Sequence, residues 1–153
     1  MTSKEKILQA LEALCARREY CTSDIYRKAL DRCEGDAVMA GEILESLKAD
    51  RFVDDARYSA AFAREKASLT GWGPVKVRFA LKAKGIGEED IAAALEEVEP
   101  EAAAGKLEKL MRAKWKSLEG DSQARLKLIR FALSRGYEYS AVEPLADLIS
   151  HNG

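Results

Sequence analysis

Two adjacent aspartates are the residues of this chain whose types and spacing come closest to catalytic chemistry. Asp54 and Asp55 could hold a magnesium ion together with distant carboxylates, as metal-dependent nucleases do. They could also accept hydrogen bonds from the first free backbone N–H groups of a helix. Capping needs no further ligand, so it is the simpler interpretation of the pair.

A strongly basic segment follows the aspartates. Residues 56–86 carry seven basic side chains and one acidic one, a balance of +6, whereas residues 87–101 carry seven acidic and no basic ones. Residues 102–135 return to +6, although the whole chain has a net charge of −1. Such runs either form solvated helix faces that pair with one another or offer a surface to phosphates or an acidic protein groove. We expect a binding surface that includes Arg57, Arg64, Lys66, Lys76, Arg78, Lys82 and Lys84.

Trp72 stands between two glycines, Gly71 and Gly73, inside the basic segment. A tryptophan in a loop can be a recognition anchor for a partner. It can equally fold back onto the core of its own chain. Both interpretations remain open from the sequence, and Trp72 is therefore kept among the candidate binding residues.

Other catalytic groups are sparse. The chain has neither a GxxxxGK[ST] phosphate loop nor a GxSxG elbow. With His151 as its single histidine, it has no credible Ser–His or Cys–His pair for nucleophilic catalysis. Cys15, Cys21 and Cys33 form no CxxC pair, so we expect reduced thiols rather than a metal site. The sequence predicts a protein that is not an enzyme and needs no cofactor or metal.

Helix punctuation indicates the elements that position these residues. Thr2 and Glu5 form a capping box for a first helix, Pro74 suits a first helical position, and Gly85 suits a left-handed helix end, as does Gly136. No segment alternates apolar and polar residues over a strand's length, so no sheet is expected. Further helices are expected near 23–32, 36–50, 54–69, 74–84, 88–98, 101–118, 122–135 and 139–150.

An internal repeat of 51 residues organises these helices. At this offset Tyr26, Val77 and Leu128 coincide, and so do Leu30, Leu81 and Ala132, with spacings that suit one helix face. The fold class predicted is all-α, with three tandem three-helix repeats at 1–53, 54–99 and 100–153 in an elongated array that can curve. Four aromatic residues are assigned to the core: Phe52, Tyr58, Phe62 and Phe79.

The chain lacks the sequence features of membrane and secreted proteins. No apolar run approaches the roughly 20 residues that a spanning helix needs, and the N-terminus has no apolar core of a signal peptide. We therefore expect a cytoplasmic protein. No long apolar heptad requires a dimer, so a monomer is expected.

Three motifs, in order along the chain, resemble the bacterial RecX regulatory proteins. The first is Val53-Asp54-Asp55-Ala56-Arg57-Tyr58-Ser59-Ala60-Ala61-Phe62, which resembles the family segment L-D-D-x-R-[FY]-A-x-x-F. The second is the loop Gly71-Trp72-Gly73-Pro74 with a basic helix that ends in Lys84-Gly85-Ile86. The third is Arg135-Gly136-Tyr137. The N-terminal repeat matches less well, because Tyr20-Cys21-Thr22-Ser23 replaces a more usual basic segment.

The resemblance implies an all-helical protein that binds the RecA recombinase filament on single-stranded DNA. The recombination, ATP hydrolysis and co-protease activities of RecA would then fall, because the protein caps the growing end of the filament or destabilises the filament from its groove. Stimulation of RecA instead of inhibition stays open. By position, the structural caps would be Asp54, Asp55, Gly73, Pro74, Gly85 and Gly136. Lys127, Arg130 and Arg135 would be the third repeat's counterparts of the basic binding residues.

Two alternatives belong to other functional classes. A stand-alone helix-turn-helix-like protein would place a basic helix in the major groove of duplex DNA without RecA. Because the net charge of the chain is −1, we expect the chain alone to bind single- or double-stranded DNA weakly at most. A metal-dependent nuclease would use Asp54 and Asp55 as ligands.

Overall fold

The chain is all-α over the residues that its computed structural model describes, 1–152. Within them it forms nine α-helices and no strand. The prediction of an all-helical fold is confirmed. The helices are α1 Ser3–Arg17, α2 Thr22–Arg32, α3 Ala37–Ala49, α4 Asp55–Glu65, α5 Pro74–Ala83, α6 Glu88–Glu96, α7 Pro100–Ser117, α8 Ala124–Ser134 and α9 Tyr139–Asn152, and a π-helical segment, Lys66–Thr70, continues α4.

Local capping chemistry sets the helix ends close to where the sequence predicts them. The Thr2 hydroxyl accepts from the Glu5 N–H at 3.1 Å, and the Glu5 carboxylate accepts from the Thr2 N–H at 3.3 Å, which is the expected capping box. Pro74 is the first residue of α5. Gly85 and Gly136 have φ of +80° and +95°, the left-handed conformation expected after α5 and α8.

The chain divides into two compact units. The first unit comprises residues 1–61 and 81–93. Its core lies where α1, α2 and α3 pack together, since α2 and α1 both contact α3. The side chains that fill this core are Leu11, Ile25, Ala29, Cys33, Ala40, Ile43, Leu47 and Val53.

The second unit comprises residues 62–80 and, within the described chain, 94–152. Its core lies among α7, α8 and α9, and α7 also contacts the π-helical segment. Trp115 packs against this core from a partly buried position. The core consists of Leu107, Met111, Leu118, Leu128, Ile129, Ala132, Tyr137, Val142, Ala146 and Ile149.

Most of the periodic apolar positions are buried. Val77, Leu81, Leu128 and Ala132 are buried, whereas Tyr26 is half-buried beside the first core, as is its neighbour Leu30. The division into two units passes through α4, α5 and α6, so each helix of the predicted middle repeat contributes to both units. The repeat boundaries at 53/54 and 99/100 therefore stay a prediction.

The assignment of Phe79 to the core is wrong. Its side chain is 75% exposed, whereas Tyr58 is buried and Phe52 and Phe62 are half-buried. On α5, Val77 and Leu81 take the buried face, and Phe79 lies two residues from each, about 200° around the helix. No helix of residues 1–152 combines the length and the apolar character that a bilayer crossing requires.

Candidate interaction surface

The aspartate pair joins two helix starts. Asp54 accepts from the backbone N–H of Arg57 at 3.0 Å and so caps α4, as predicted. Asp55 caps another helix than the one it begins, because its carboxylate accepts from the N–H of Thr22, the first residue of α2, at 2.8 Å. Each carboxylate is thus bound to a backbone donor at a different helix end, which is a capping role for both.

Arg57, a candidate binding residue, is tied into the first unit. Its Nε donates to the Glu19 carboxylate at 2.5 Å, and its Nη2 donates to the Arg51 carbonyl at 3.0 Å. The hydrogen bond with Glu19 is the main reason why the pKa of Arg57 is raised. Its guanidinium therefore stabilises the junction between α1 and α4, with two of its donors already used.

Lys84 is held in a second contact of the first unit. Its Nζ donates to the Asp24 carboxylate at 2.8 Å, and the Ser23 hydroxyl donates to the Lys84 carbonyl at 2.7 Å. Burial alone would raise the pKa of Asp24, but the hydrogen bond from Lys84 and the nearby cations lower it overall. These contacts fasten the turn after α5 to the start of α2.

Ion pairs also engage other candidate cations. Arg64 contacts Glu97 at 2.5 Å, Lys82 contacts Glu88 at 2.8 Å, and Lys127 contacts Asp121 at 2.6 Å. All these side chains are substantially exposed, Asp121 least, so the pairs lie at the surface and contribute little to stability.

Trp72 gathers two cations that have no ion pair among the described contacts. The ammonium groups of Lys66 and Lys76 lie 4.9 Å and 4.6 Å from the centre of the Trp72 ring. Phe62 meets the same ring edge-on, with the ring centres 6.1 Å apart. Trp72 is half-buried and packs on Phe62 within its own unit, and it holds two cations at its ring. A role as recognition anchor stays a prediction.

The loop that carries Trp72 is bound to the turn after α8. The Gly73 N–H donates to the Arg135 carbonyl at 2.7 Å, and the Val75 N–H donates to the Gly136 carbonyl at 2.9 Å. A Cβ atom on Gly73 would lie 2.4 Å from the Gly136 oxygen, which no side chain can occupy. Glycine is thus required at position 73 by the close approach of two backbones. We call these two hydrogen bonds the glycine clasp.

Two side chains complete the glycine clasp. Arg135 donates from Nη2 to the Thr70 carbonyl, and the Tyr137 hydroxyl donates to the Gly71 carbonyl at 3.2 Å. Burial raises the pKa of Tyr137 above its ordinary value. The second and third motifs of the sequence therefore contact each other.

The candidate residues do not form a single cluster. Arg57, Lys82 and Lys84 belong to the first unit, and the other candidates belong to the second. In the second unit the structure brings together Lys66, Trp72 and Lys76. Arg135, at the end of α8, donates to the Thr70 carbonyl just before the Trp72 loop. Arg130 is exposed on α8, and Arg78 is half-buried on α5.

Sequence reasoning missed exposed apolar residues in the second unit. Phe79 and Val75 are 75% and 48% exposed on α5, and Leu69 is 73% exposed in the π-helical segment. The available signal was the spacing of Val75 and Phe79, which puts them on one helix face, opposite the buried pair Val77 and Leu81. An exposed phenylalanine beside cations is a candidate contact for a partner.

Comparison with known proteins identifies the family. The curated regulatory protein RecX of Chromohalobacter salexigens is 31% identical over 129 residues, which cover 84% of this chain and 83% of that protein. The chain belongs to the RecX family. Residues 54–95 match the family model described as RecX, second three-helix domain.

Solved RecX structures share the fold. A crystal structure of regulatory protein RecX aligns with a TM-score of 0.84 and 25% identity, covering 95% of this chain and 72% of that one. RecX from Lactobacillus salivarius aligns with a TM-score of 0.84 over 97% of both chains at 17% identity, which supports the fold alone.

The relatives differ in length. Regulatory protein RecX of Limosilactobacillus reuteri is 29% identical over 127 residues, which are 82% of this chain but 48% of that protein. The match to the protein of Oceanobacillus iheyensis covers 42% of its length. The chain thus spans about half the length of these curated relatives.

Proposed function

We propose that this chain binds the RecA filament on single-stranded DNA and lowers its recombinase, ATPase and co-protease activities. The observation that carries the proposal is the match to a regulatory protein RecX over more than four-fifths of both chains. Action on RecA is what the resemblance of the three sequence motifs to this family implies. The chain would act in the cytoplasm, as a monomer and without a cofactor.

The proposed contacts are the basic residues of both units. Lys66, Lys76 and Arg130 have no ion pair among the described contacts, so a partner's carboxylates could pair with them directly. Arg64, Lys82 and Lys127 would exchange exposed intramolecular pairs for intermolecular ones, at a small cost. Electrostatic complementarity of this kind accelerates association more than it tightens binding.

The experiment is RecA-driven strand exchange with the protein added well below the RecA concentration. We expect joint-molecule formation to slow at these substoichiometric amounts, because capping or local destabilisation of a filament affects many RecA subunits at once. A protein that stays inert even in excess over RecA would refute the proposal.

A second candidate, stand-alone binding to duplex DNA, is favoured by one observation. Helix α5 carries Lys76, Arg78 and Lys82 and no acidic side chain. Such binding requires a mobility shift of duplex DNA without RecA, with an affinity that falls steeply as salt rises. The absence of any shift at low salt would eliminate it.

A further inference from the structure

Helix α5 exposes two large apolar side chains on one face. Phe79 is 75% and Val75 48% exposed, and their separation of four residues places them one turn apart. Exposure of a phenylalanine ring to water is unfavourable, because burying the ring lowers the free energy by about 1.5–3 kcal/mol. The pair is therefore a candidate for burial against another molecule.

The ring is specific to the middle helix of the repeat pattern. At the offset of 51 residues, Lys28 on α2 and Arg130 on α8 occupy the position of Phe79. Lys28 lies over the Tyr20 ring at 5.6 Å, and Arg130 is exposed. Two of the three equivalent positions thus carry a cation, and only the middle one carries an apolar group that can fill a recess.

The charges around the pair indicate the chemistry of the partner. The only charged residues of α5 are Lys76, Arg78 and Lys82, all basic, and residues 56–86 have a balance of +6. A partner that covers this face must therefore offer an apolar recess with carboxylates around it. Val75 is aliphatic and cannot stack on a base, so the face suits a protein better than a nucleic acid.

We infer that Val75 and Phe79 form an apolar anchor that inserts into an acid-rimmed recess of a partner protein. This inference rests on the proposed function, under which the recess lies on a RecA subunit. Phe79 supplies most of the affinity, as a central aromatic residue does in other interfaces, and the neighbouring cations orient it.

The test compares Phe79→Ala and Val75→Ser with the wild type in binding to RecA filaments preassembled on single-stranded DNA. Tyr139→Ala is the matched control, because Tyr139 is an aromatic residue of the same unit that is 52% exposed. We expect Phe79→Ala to raise the Kd at least about tenfold and Val75→Ser several-fold, while Tyr139→Ala has no effect. Phe79→Leu, which keeps an apolar group, should retain most of the affinity.

Each outcome bears on a different claim. The far-UV circular dichroism spectrum and the Tm of every variant should match those of the wild type, because the substituted side chains lie at the surface. A fall of Tm in Phe79→Ala would show that the ring is structural and would overturn the inference. If the wild type binds RecA filaments and Phe79→Ala binds them with the same affinity, the inference is overturned and the proposed function stays intact. Failure of the wild type to bind RecA would reject both. An equal loss of affinity for labelled single-stranded DNA without RecA would assign the ring to bases instead of a protein.

Discussion

At the scale of single residues, the glycine clasp shows that a motif of the sequence serves packing and also places a cluster of cations. Gly73 and Gly136 let the loop before α5 approach the turn after α8 closely enough for two backbone hydrogen bonds, of 2.7 and 2.9 Å. Trp72 stands in the same loop and holds Lys66 and Lys76 over its ring. The position of this positive charge therefore depends on the close backbone contact between two glycines.

We predict that Gly73→Ala destabilises the second unit by about 1–3 kcal/mol, the usual cost of forcing an extra group into a packed site. The added Cβ would lie 2.4 Å from the Gly136 oxygen, and backbone cannot move aside as a flexible side chain can. Urea unfolding followed by tryptophan fluorescence reports this unit, because Trp72 and Trp115 both belong to it.

Gly105→Ala is the control for that substitution. Gly105 lies inside α7 of the same unit, with no atom within 4 Å of its added Cβ, so alanine should stabilise the helix by about 0.5–1 kcal/mol. Equal midpoints for the two variants would contradict the claim that backbone contact requires glycine at position 73.

At the scale of elements, the bounds of α5 could be predicted from the sequence, but its buried face could not. Its bounds follow from Pro74 and Gly85, which act locally. Its orientation does not, because Val75, Val77, Phe79 and Leu81 alternate along the helix and form two apolar pairs on opposite faces. Which pair is buried depends on neighbours distant in sequence, and so the sequence misplaced Phe79.

Contacts between residues distant in sequence could not be predicted for the same reason, because they depend on how the whole chain folds. Asp55 reaches Thr22, 33 residues away, and the glycine clasp joins positions more than 60 residues apart. A single sequence carries no signal for such pairs. The helices and the basic segment were predictable because caps, turns and charge balance are local properties.

The contact between Lys84 and Asp24 predicts how the stability of the first unit depends on pH. Because the pKa of Asp24 is lowered on folding, its carboxylate stabilises the fold above the unfolded-state pKa of about 3.9, and this contribution is lost as pH falls through the lower folded value. We expect the difference in Tm between wild type and Asp24→Asn to be constant from about pH 5 to 7 and to shrink below about pH 4. Thermal melts followed by circular dichroism across this range measure it, and a difference that grows on acidification would contradict the assignment.

At the scale of the whole molecule, α5 has buried residues that support the fold and charged residues that we propose for binding. Leu81 is fully buried in the first unit, whereas Lys76 and Arg78 belong to the second. Residues of α5 belong to both units. A defect in its buried face should affect the fold, whereas a change of its charges should, under the proposed function, affect binding to the partner.

Leu81→Asp should unfold the first unit, since an unpaired buried carboxylate costs several kcal/mol. Far-UV circular dichroism should show a clear loss of helicity at 25 °C. Ala83→Asp introduces the same group at an exposed position of the same helix and should keep the helical signal. Full helicity in Leu81→Asp would mean that this face of α5 is not part of a core.

The double variant Lys76→Glu with Arg78→Glu should keep its helicity and lose regulation. Reversal of two charges should raise the concentration for half-maximal inhibition of RecA by about tenfold, equivalent to roughly 1.4 kcal/mol. The measurement pairs circular dichroism with strand exchange. A loss of helicity equal to that of Leu81→Asp would show that these cations are structural and that the binding face lies elsewhere.

The central claim is that this chain regulates RecA, and ATP hydrolysis by RecA on single-stranded DNA tests it most directly. The protein is titrated from far below to equal the concentration of RecA from the same source. We predict that hydrolysis falls already at substoichiometric amounts, as capping or destabilisation of filaments requires. Unchanged hydrolysis up to an equimolar ratio would contradict the account.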